Sequence, residues 1–313
     1  MKAAAELKEL VSRLATLEYR FTAVTPETHA LVNGRPGNER ARTLRDVFGW
    51  NRSFSPEILP AGLFDLMRAA DACQPEADGA WRATWRVASL GHQLFVHSAF
   101  PTLAADAVFF GPDSYRFARA VRSLGVTASR AVDVGCGSGV GGIVLSHFAG
   151  LAAPVVLADI NQRALEVARL NAEVAGVAAE VVESDVLRQV EGAVDLIIAN
   201  PPYLADEAGR AYRDGGAAMG AALPARMVKE ALERLERDGG GSLLMYTGVA
   251  LQADFDPFWS LIAEDIAHSG AQYSYEELDP DIFASELYRP VYAETERIAA
   301  VLLHATLSSS RRP

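Results

Sequence analysis

Residues able to do chemistry stand at two places in this 313-residue sequence, each directly after a short apolar run. The first is the glycine loop Gly135-Cys-Gly-Ser-Gly139, and the second is the tetrapeptide Asn200-Pro-Pro-Tyr203. Glycines let a backbone turn sharply and approach a ligand closely. Two prolines hold the Asn side chain and the carbonyl of Pro201 in a rigid turn, where they offer two acceptors to one NH2 group. Together they predict a ligand loop beside a site for a flat amino group.

The tetrapeptide has a specific chemical use. An amide or aromatic amine is a poor nucleophile because its lone pair is delocalised, and acceptors that hold both N–H bonds favour a more tetrahedral nitrogen. Tyr203 offers a flat surface on which such a planar group can stack. The alternative is structural: Asn200 and the prolines form a stiff turn on which Tyr203 packs.

Acidic residues follow the glycine loop in a regular order. Asp159 ends an apolar run, where its carboxylate can accept hydrogen bonds from both ribose hydroxyls. Asp185 follows the next run and can accept from an exocyclic adenine amine. Either acid alone is also typical of a helix cap or a solvated turn, but the pair favours a nucleoside-bearing cofactor. Asp133 is costly to bury alone, so we expect it to hold the loop amides or a cofactor ammonium group.

The elements that position these residues alternate along the second part of the chain. Core strands are predicted at 131–134, 155–158, 179–182, 196–199, 241–247 and 298–303, and intervening helices at 141–148, 162–175, 222–236 and 257–268. Short apolar runs separated by helices are typical of a parallel sheet covered on both faces. The predicted fold class is therefore α/β with a doubly wound sheet.

The first part of the chain has a different pattern. Leucines at helical spacing predict a helix over 7–17, a second helical pattern covers 63–70, and two short strands are expected within 81–98 around Gly91. We expect an accessory, substrate-recognition region at 1–105, a catalytic domain at 106–307 and a loose tail at 308–313.

Composition excludes several classes of function. Residues 1–125 hold 15 Lys and Arg against 13 Asp and Glu, whereas the rest hold 14 against 27. The acidic part disfavours broad phosphate tracking along nucleic acid, although it leaves a local basic patch possible. Cys73 and Cys136 form no Cys-x-x-Cys motif, so we expect no structural metal and a reducing cytoplasm. The uncharged run 134–158 contains six glycines and Pro154, which argues against a membrane span.

These residues resemble those of class I S-adenosylmethionine-dependent methyltransferases over about residues 105–305. Within that class the tetrapeptide is similar to that of the Asn-Pro-Pro-Tyr branch, which includes HemK-like release-factor glutamine methyltransferases and adenine N6 methyltransferases. The resemblance implies a seven-stranded Rossmann-like sheet and S-adenosyl-L-methionine as cofactor. It implies that the methionine part is bordered by Gly135, Gly137 and Gly139, the ribose held by Asp159, the adenine flanked by Asp185 and Val186, and the acceptor nitrogen positioned by Asn200 and Pro201.

Two further segments support the resemblance and one departs from it. Phe110-Gly-Pro-Asp-Ser114 is similar to the segment that closes over the cofactor in such enzymes, and Asp214-Gly-Gly216 to a feature of the glutamine enzymes. The first 105 residues do not resemble the five-helix substrate domain of HemK-like proteins, because 81–98 has the pattern of strands.

The predicted activity is methyl transfer to a planar amide or amino nitrogen, with a protein glutamine side chain favoured over a small molecule. A nucleic-acid adenine-N6 or guanine-N2 methyltransferase is the nearest alternative. The register Gly137-x-Gly139-x-x-Gly142 also leaves an NAD-dependent dehydrogenase open, and a non-catalytic cofactor-binding protein is the third alternative.

Overall fold

The computed structural model describes residues 3–236 and 240–307, so the predicted tail lies outside the described residues. The N-terminal elements are helices α1 (Ala4–Thr16), α2 (Pro26–Asn33), α3 (Leu44–Phe48) and α4 (Leu63–Ala69), and strands β1 (Cys73–Pro75), β2 (Trp81–Ala83), β3 (Trp85–Leu90) and β4 (Gln93–Ser98). Strand β1 pairs with β2, and β3 pairs with β4 in a hairpin around Gly91. The predicted first helix, the helix near residue 63 and the hairpin are confirmed, whereas α2 and α3 were not predicted.

The remaining elements alternate as the sequence predicts. The helices are α5 (Pro112–Ser123), α6 (Val140–Ser146), α7 (Gln162–Ala175), α8 (Ala222–Arg234) and α9 (Pro257–Ser269), and the strands are β5 (Ala131–Val134), β6 (Val155–Asp159), β7 (Ala179–Glu183), β8 (Leu196–Ala199), β9 (Ser242–Leu251), β10 (Gln272–Asp279) and β11 (Arg297–Thr306). Local signals define α7: the side chain of Asn161 accepts from the amide of Arg163 at its start, and Gly176 ends it in a left-handed conformation.

Strands β5 to β11 form one seven-stranded sheet in the order β10-β11-β9-β8-β5-β6-β7. Strands β5 to β9 run parallel to one another. At one end of the sheet β11 runs antiparallel to β9, and β10 runs antiparallel to β11. The direction of winding reverses between β5 and β8, where the carboxyl ends of neighbouring strands leave a crevice. This confirms the doubly wound α/β fold with seven strands.

Strand β10 is the one member of the sheet that lacked a sequence signal. Six of its eight residues are exposed, because it is an end strand, and its polar composition shows no apolar run. Its partner β11 is apolar and buried along most of its length, which is why the sequence predicted β11 and not β10.

The N-terminal region packs on the sheet through α7. Ala164, Val167 and Leu170 of this helix belong to the same apolar cluster as Leu7, Leu10 and Leu14 of α1. On the other face of the hairpin, Ala88 and Phe95 join the core that lies under α5 and α6. The hairpin is thus enclosed on both faces, and the division of domains at residue 105 stays a prediction.

Candidate cofactor and acceptor site

A cleft opens at the carboxyl ends of β5, β6 and β8. It lies where the winding of the sheet reverses, as expected for a ligand site in this class of fold. Seven of the predicted site residues line it: Asp133, Gly135, Gly137, Asp159, Asp185, Val186 and Asn200. Three others, Gly139, Pro201 and Tyr203, do not. The fold therefore brings most of the predicted residues to one place.

The glycine loop is shaped by backbone conformations that favour glycine. Gly135 and Gly137 have φ angles of 67° and 53°, and the amide of Gly137 donates to Asp159 Oδ2 at 2.9 Å. A Cβ at Gly137 would meet nothing within 4 Å, so the space beside the loop is open. Gly139 differs, since a Cβ there would lie 3.2 Å from the Cβ of Ala168. It serves the packing of α6 on α7.

Asp133 is buried beneath the first turn of α6. Its Oδ2 accepts from the amide of Gly142 at 2.7 Å, and a Cβ at Gly141 would crowd the same oxygen and the ring of Phe117. Burial raises the pKa of Asp133 to about 7. This carboxyl group therefore holds a helix amide and faces the cleft.

The two later acids have different surroundings. Asp159 accepts amide hydrogen bonds from Gly137 and Asn161, and burial raises its pKa. Asp185 forms ion pairs with Arg226 at 2.8 Å and Arg188 at 2.9 Å, and its hydrogen bond from Arg226 lowers its pKa. Asp159 is thus held by backbone at the end of β6, whereas Asp185 is held by arginine side chains.

Asn200 lies at the end of β8 with its side chain half-buried in the cleft. Within residues 3–236 and 240–307 its amide group has no hydrogen-bond partner. Pro202 lines the cleft beside it, and Pro201 is buried behind the lining. An unpartnered amide at a rigid turn is available to bind a polar group of a ligand.

Tyr203 points away from the cleft. Its hydroxyl donates to the carboxylate of Asp113, which also accepts from the Tyr246 hydroxyl at 2.7 Å and from Arg116 at 3.2 Å. A Cβ at Gly248 would overlap the Tyr203 ring, so the ring packs directly on the backbone of β9. The structure therefore ties the end of the tetrapeptide to the start of α5 rather than exposing an aromatic face.

Comparisons with known proteins find similarity to methyltransferases. Residues 118–253 match the family model described as "Methyltransferase small domain". The chain is 37% identical over 108 residues to the ribosomal RNA small subunit methyltransferase C of Actinobacillus succinogenes, covering 34% of this chain and 29% of that protein. It is 43% identical over 81 residues to the release factor glutamine methyltransferase of Mycobacterium leprae, covering 24% and 27%.

One solved structure supports the fold over a longer stretch. Trm5b from Pyrococcus abyssi aligns with a TM-score of 0.50 and 16% identity, covering 75% of this chain and 62% of that one. The central region, residues 118–253, is similar to methyltransferase domains, and S-adenosylmethionine is the cofactor that this similarity favours. The matched segments span less than a third of the length of the curated relatives named above.

The glycine loop is joined to the N-terminal region by a residue that the sequence did not point to. Asn171 of α7 is fully buried; its Oδ1 accepts from the amide of Val96 at 2.8 Å. Its Nδ2 donates to the carbonyls of Val96 at 3.1 Å and Ser138 at 2.9 Å. One side chain thus connects the accessory strand β4 to the glycine loop. An Asn on the buried face of an apolar helix was the available signal.

Two aromatic residues of the cleft were also missed. Phe109 precedes α5, and Tyr212 lies in the loop that follows the tetrapeptide. Their rings are parallel within 5°, with centroids 6.2 Å apart. The two segments are distant in sequence, so only the fold reveals that these rings meet at the cleft.

Two kinds of site are absent from the described parts of the chain. In residues 3–236 and 240–307 no three His, Cys, Asp or Glu side chains group in a way that could hold a metal ion. Over the same residues, none of the helices is long and apolar enough to cross a membrane.

Proposed function

We propose that this protein is an S-adenosylmethionine-dependent N-methyltransferase of the HemK-like, Asn-Pro-Pro-Tyr branch, acting on a planar amide or amino nitrogen. The observation that supports this proposal best is that the side-chain amide of Asn200 lies in the same cleft as Asp159 and the glycine loop and has no hydrogen-bond partner among the described residues. A rigid acceptor beside a cofactor pocket is what methyl transfer to an NH2 group requires.

The residues of the cleft fit the cofactor. The open space beside Gly137 admits the methionine part, with Gly135 bordering it and Asp133 near its ammonium group. Asp159 holds the ribose hydroxyls. Asp185 and Val186 flank the adenine, and the two arginines on Asp185 fix the direction of its carboxylate. Gly139 supports the pocket from behind by holding α6 on α7.

The chain itself contributes binding and alignment to the reaction. When bound, S-adenosylmethionine would supply an electrophilic methyl group on a sulfonium, so that the nitrogen lone pair would form the N–C bond as the C–S electron pair returned to sulfur. Asn200, which lines the cleft, would accept one N–H bond through Oδ1. The resemblance implies the carbonyl oxygen of Pro201, which lies behind the lining, as the second acceptor, and together the two would turn the nitrogen lone pair toward the methyl group. The proton then leaves to water, so no side chain has to act as a nucleophile.

A protein glutamine is the acceptor that the resemblance favours. The release factor glutamine methyltransferase of M. leprae, 43% identical over 81 residues, supports it. The net charge of -11 also suits a partner that is not a polyphosphate. The free thiols of Cys73 and Cys136 support action in a reducing cytoplasm.

An exocyclic amine of a nucleobase is the second candidate. The relative from Actinobacillus succinogenes is named as a methyltransferase of ribosomal RNA, which supports a nucleic-acid acceptor. Binding of such a substrate should weaken steeply with salt, because phosphates release counterions when they are neutralised.

Transfer of label from the cofactor tests the proposal. The protein is incubated with tritiated S-adenosylmethionine and cell extract, and the protein, RNA and small-molecule fractions are counted. We expect label in one fraction, dependent on the enzyme. Calorimetry with S-adenosylmethionine and NAD on the same sample separates methyl transfer from dehydrogenation, and binding of NAD alone would contradict the proposal.

The variant Asn200→Ala tests the role of the tetrapeptide. It removes one acceptor of the substrate NH2 group while leaving the walls of the cofactor pocket in place. We expect turnover to fall by about 100-fold or more, as when one preorganised polar group is removed from a reaction site, with cofactor affinity nearly unchanged. Equal turnover in wild type and variant would remove Asn200 from the mechanism.

A further inference from the structure

The hairpin of β3 and β4 carries two basic side chains on a buried face. Arg86 and His97 are directly opposite each other in the antiparallel register, so their side chains point to the same side of the hairpin. The exposed fraction is 6% for Arg86 and 1% for His97. Ala88 and Phe95 form the next pair on this face and belong to the apolar core. A cation therefore lies where an apolar residue is usual.

Each of these two side chains has one buried nitrogen without a hydrogen-bond partner among the described residues. The two atoms are Nη2 of Arg86 and Nε2 of His97. Arg86 Nε donates to the carbonyl of Gly49 at 2.8 Å, and the guanidinium lies over the ring of Phe21 at 5.8 Å. Neither contact supplies a negative charge. Buried charges are normally paired, so the guanidinium still requires an anionic partner.

The surroundings of Arg86 do not supply that partner. Burial lowers the pKa of Arg86 to about 10, and the groups that act in the opposite direction are the phenols of Tyr19 and Tyr115, not a carboxylate of the described residues. The guanidinium is therefore charged at neutral pH. His29 of α2 is also buried, and burial together with Arg86 lowers the pKa of His29 to about 4 and that of His97 well below its ordinary value. Two neutral imidazoles thus lie near one uncompensated cation.

We infer that Arg86, His97 and His29 form a binding site for a small monovalent anion, with Arg86 Nη2 as its charged donor. Such an ion accepts hydrogen bonds from several directions, and an imidazole nitrogen that carries hydrogen can be a further donor. Aromatic rings limit the size of the ion. The ring of Phe110 stacks on His97 with centroids 5.6 Å apart, and that of Phe100 lies 4.2 Å from His29. An ion of the size of chloride is therefore favoured over a phosphate or a nucleotide.

The anion site is distinct from the cleft that holds Asn200. Arg86 and the two histidines do not line that cleft. The two places are neighbours in the chain, because Phe110 stacks on His97 whereas Phe109 lines the cleft. Binding of the anion would hold the hairpin and α2 to the segment before α5. It does not depend on which molecule the cleft methylates.

Thermal unfolding in different sodium salts tests the site. Tm is measured in sodium chloride and in sodium gluconate at equal ionic strength, because gluconate is too large to enter. Arg86→Met removes the charge but keeps an unbranched side chain. Arg20→Met is the matched control, since Arg20 is exposed and its Nη2 lies 3.2 Å from Nδ1 of His92, so that this variant removes an arginine–histidine contact at the surface.

We expect the difference between Tm in chloride and Tm in gluconate to be about 2–4 °C larger for wild type than for Arg86→Met, the shift produced by about sixfold stabilisation of the folded state through ligand binding. Arg20→Met should match wild type. An equal salt response in wild type and Arg86→Met, or loss of the response in Arg20→Met, would overturn the inference.

Diffraction from wild-type crystals grown in sodium bromide provides a second test that needs no variant. We expect an anomalous peak within hydrogen-bond distance of Arg86 Nη2. Density for water alone at this position, with bromide peaks only at the molecular surface, would contradict an anion site. If Arg86→Met does not fold, the presence or absence of the bromide peak decides.

Discussion

The carboxylate of Asp113 receives three hydrogen bonds at the first turn of α5, and two of the donors are tyrosines from separate parts of the chain. Tyr203 comes from the tetrapeptide and Tyr246 from β9. Burial raises the pKa of Asp113 overall, although the hydrogen bonds from Tyr203, Tyr246 and Arg116 act in the opposite direction. This single carboxyl group fixes the segment before α5, the tetrapeptide and the sheet relative to one another.

Removing one hydrogen-bond donor from Asp113 is expected to disturb the position of Asn200 more than the binding of the cofactor. Tyr203→Phe keeps the ring on Gly248 but deletes the hydroxyl, and we expect the free energy of unfolding to fall by about 1.5–3 kcal/mol. Turnover should fall without a change in cofactor affinity, because Asn200 is attached to the same turn. Tyr275→Phe is the control, since its hydroxyl donates to Asp256 at 2.7 Å away from the cleft. Equal turnover losses in both variants would contradict a positioning role.

Asp133 is expected to make the free energy of unfolding of this protein depend on pH. Its pKa is raised by burial to about 7, so the folded state holds this proton more tightly than the unfolded state. The stabilisation it contributes is complete at low pH and is lost as the pH rises to about 7, with a limiting slope of about 1.4 kcal/mol per pH unit.

Asp133→Asn should remove that slope. We expect the free energy of unfolding of the variant, measured by urea titration from pH 4 to 8, to fall less steeply than that of the wild type. Asp113 and Asp159 are present in both proteins, so the difference between the two profiles reports Asp133 together with its electrostatic effect on Asp159. Superimposable profiles would show that its carboxyl group titrates normally.

Sequence alone predicts which residues lie near the cleft, but not the directions of all their side chains. Gly135, Gly137, Asp159 and Asn200 could be found because each follows an apolar run, and strand ends of a parallel sheet meet at one edge. The direction of Tyr203 could not be found, because it depends on a buried carboxylate ninety residues away. Spacing identifies which residues reach the cleft edge, but not which way each side chain turns.

At the scale of elements, α7 is the helix on which the site depends most. One side of it packs on the N-terminal core, and Asn171 bridges β4 and the glycine loop. The sequence predicted its bounds of 162–175 correctly, since caps and periodicity are local signals. Its role as a connector could not be predicted, because it rests on contacts with Val96 and Ser138.

Asn171→Ala is expected to loosen both attachments at once. It leaves the amide and carbonyl of Val96 and the carbonyl of Ser138 without partners in a buried place, which should cost about 2–4 kcal/mol of stability. Cofactor affinity should fall with it, because Ser138 belongs to the glycine loop. Asn33→Ala is the control: it breaks hydrogen bonds to Trp50 and Arg52 within the N-terminal region. A similar loss of cofactor affinity in that control would refute the connection.

For the whole molecule, the enclosed hairpin predicts cooperative unfolding. The N-terminal region and the methyltransferase domain share apolar clusters on both faces of β3 and β4. Neither part can lose its structure without exposing the core of the other. We expect one calorimetric transition in which the van't Hoff and calorimetric enthalpies agree. Two resolved transitions would show that the parts unfold separately.

The sheet ends in β7 on one side and β10 on the other, and each of these strands has one open flank of peptide groups. Open flanks invite strands from other molecules, yet both are acidic: Glu180 and Glu183 stand on β7, and Glu276 on β10. Two copies approaching through these flanks therefore repel each other while the acids are ionised. We therefore expect acidification to weaken this repulsion between end strands and to favour association through them.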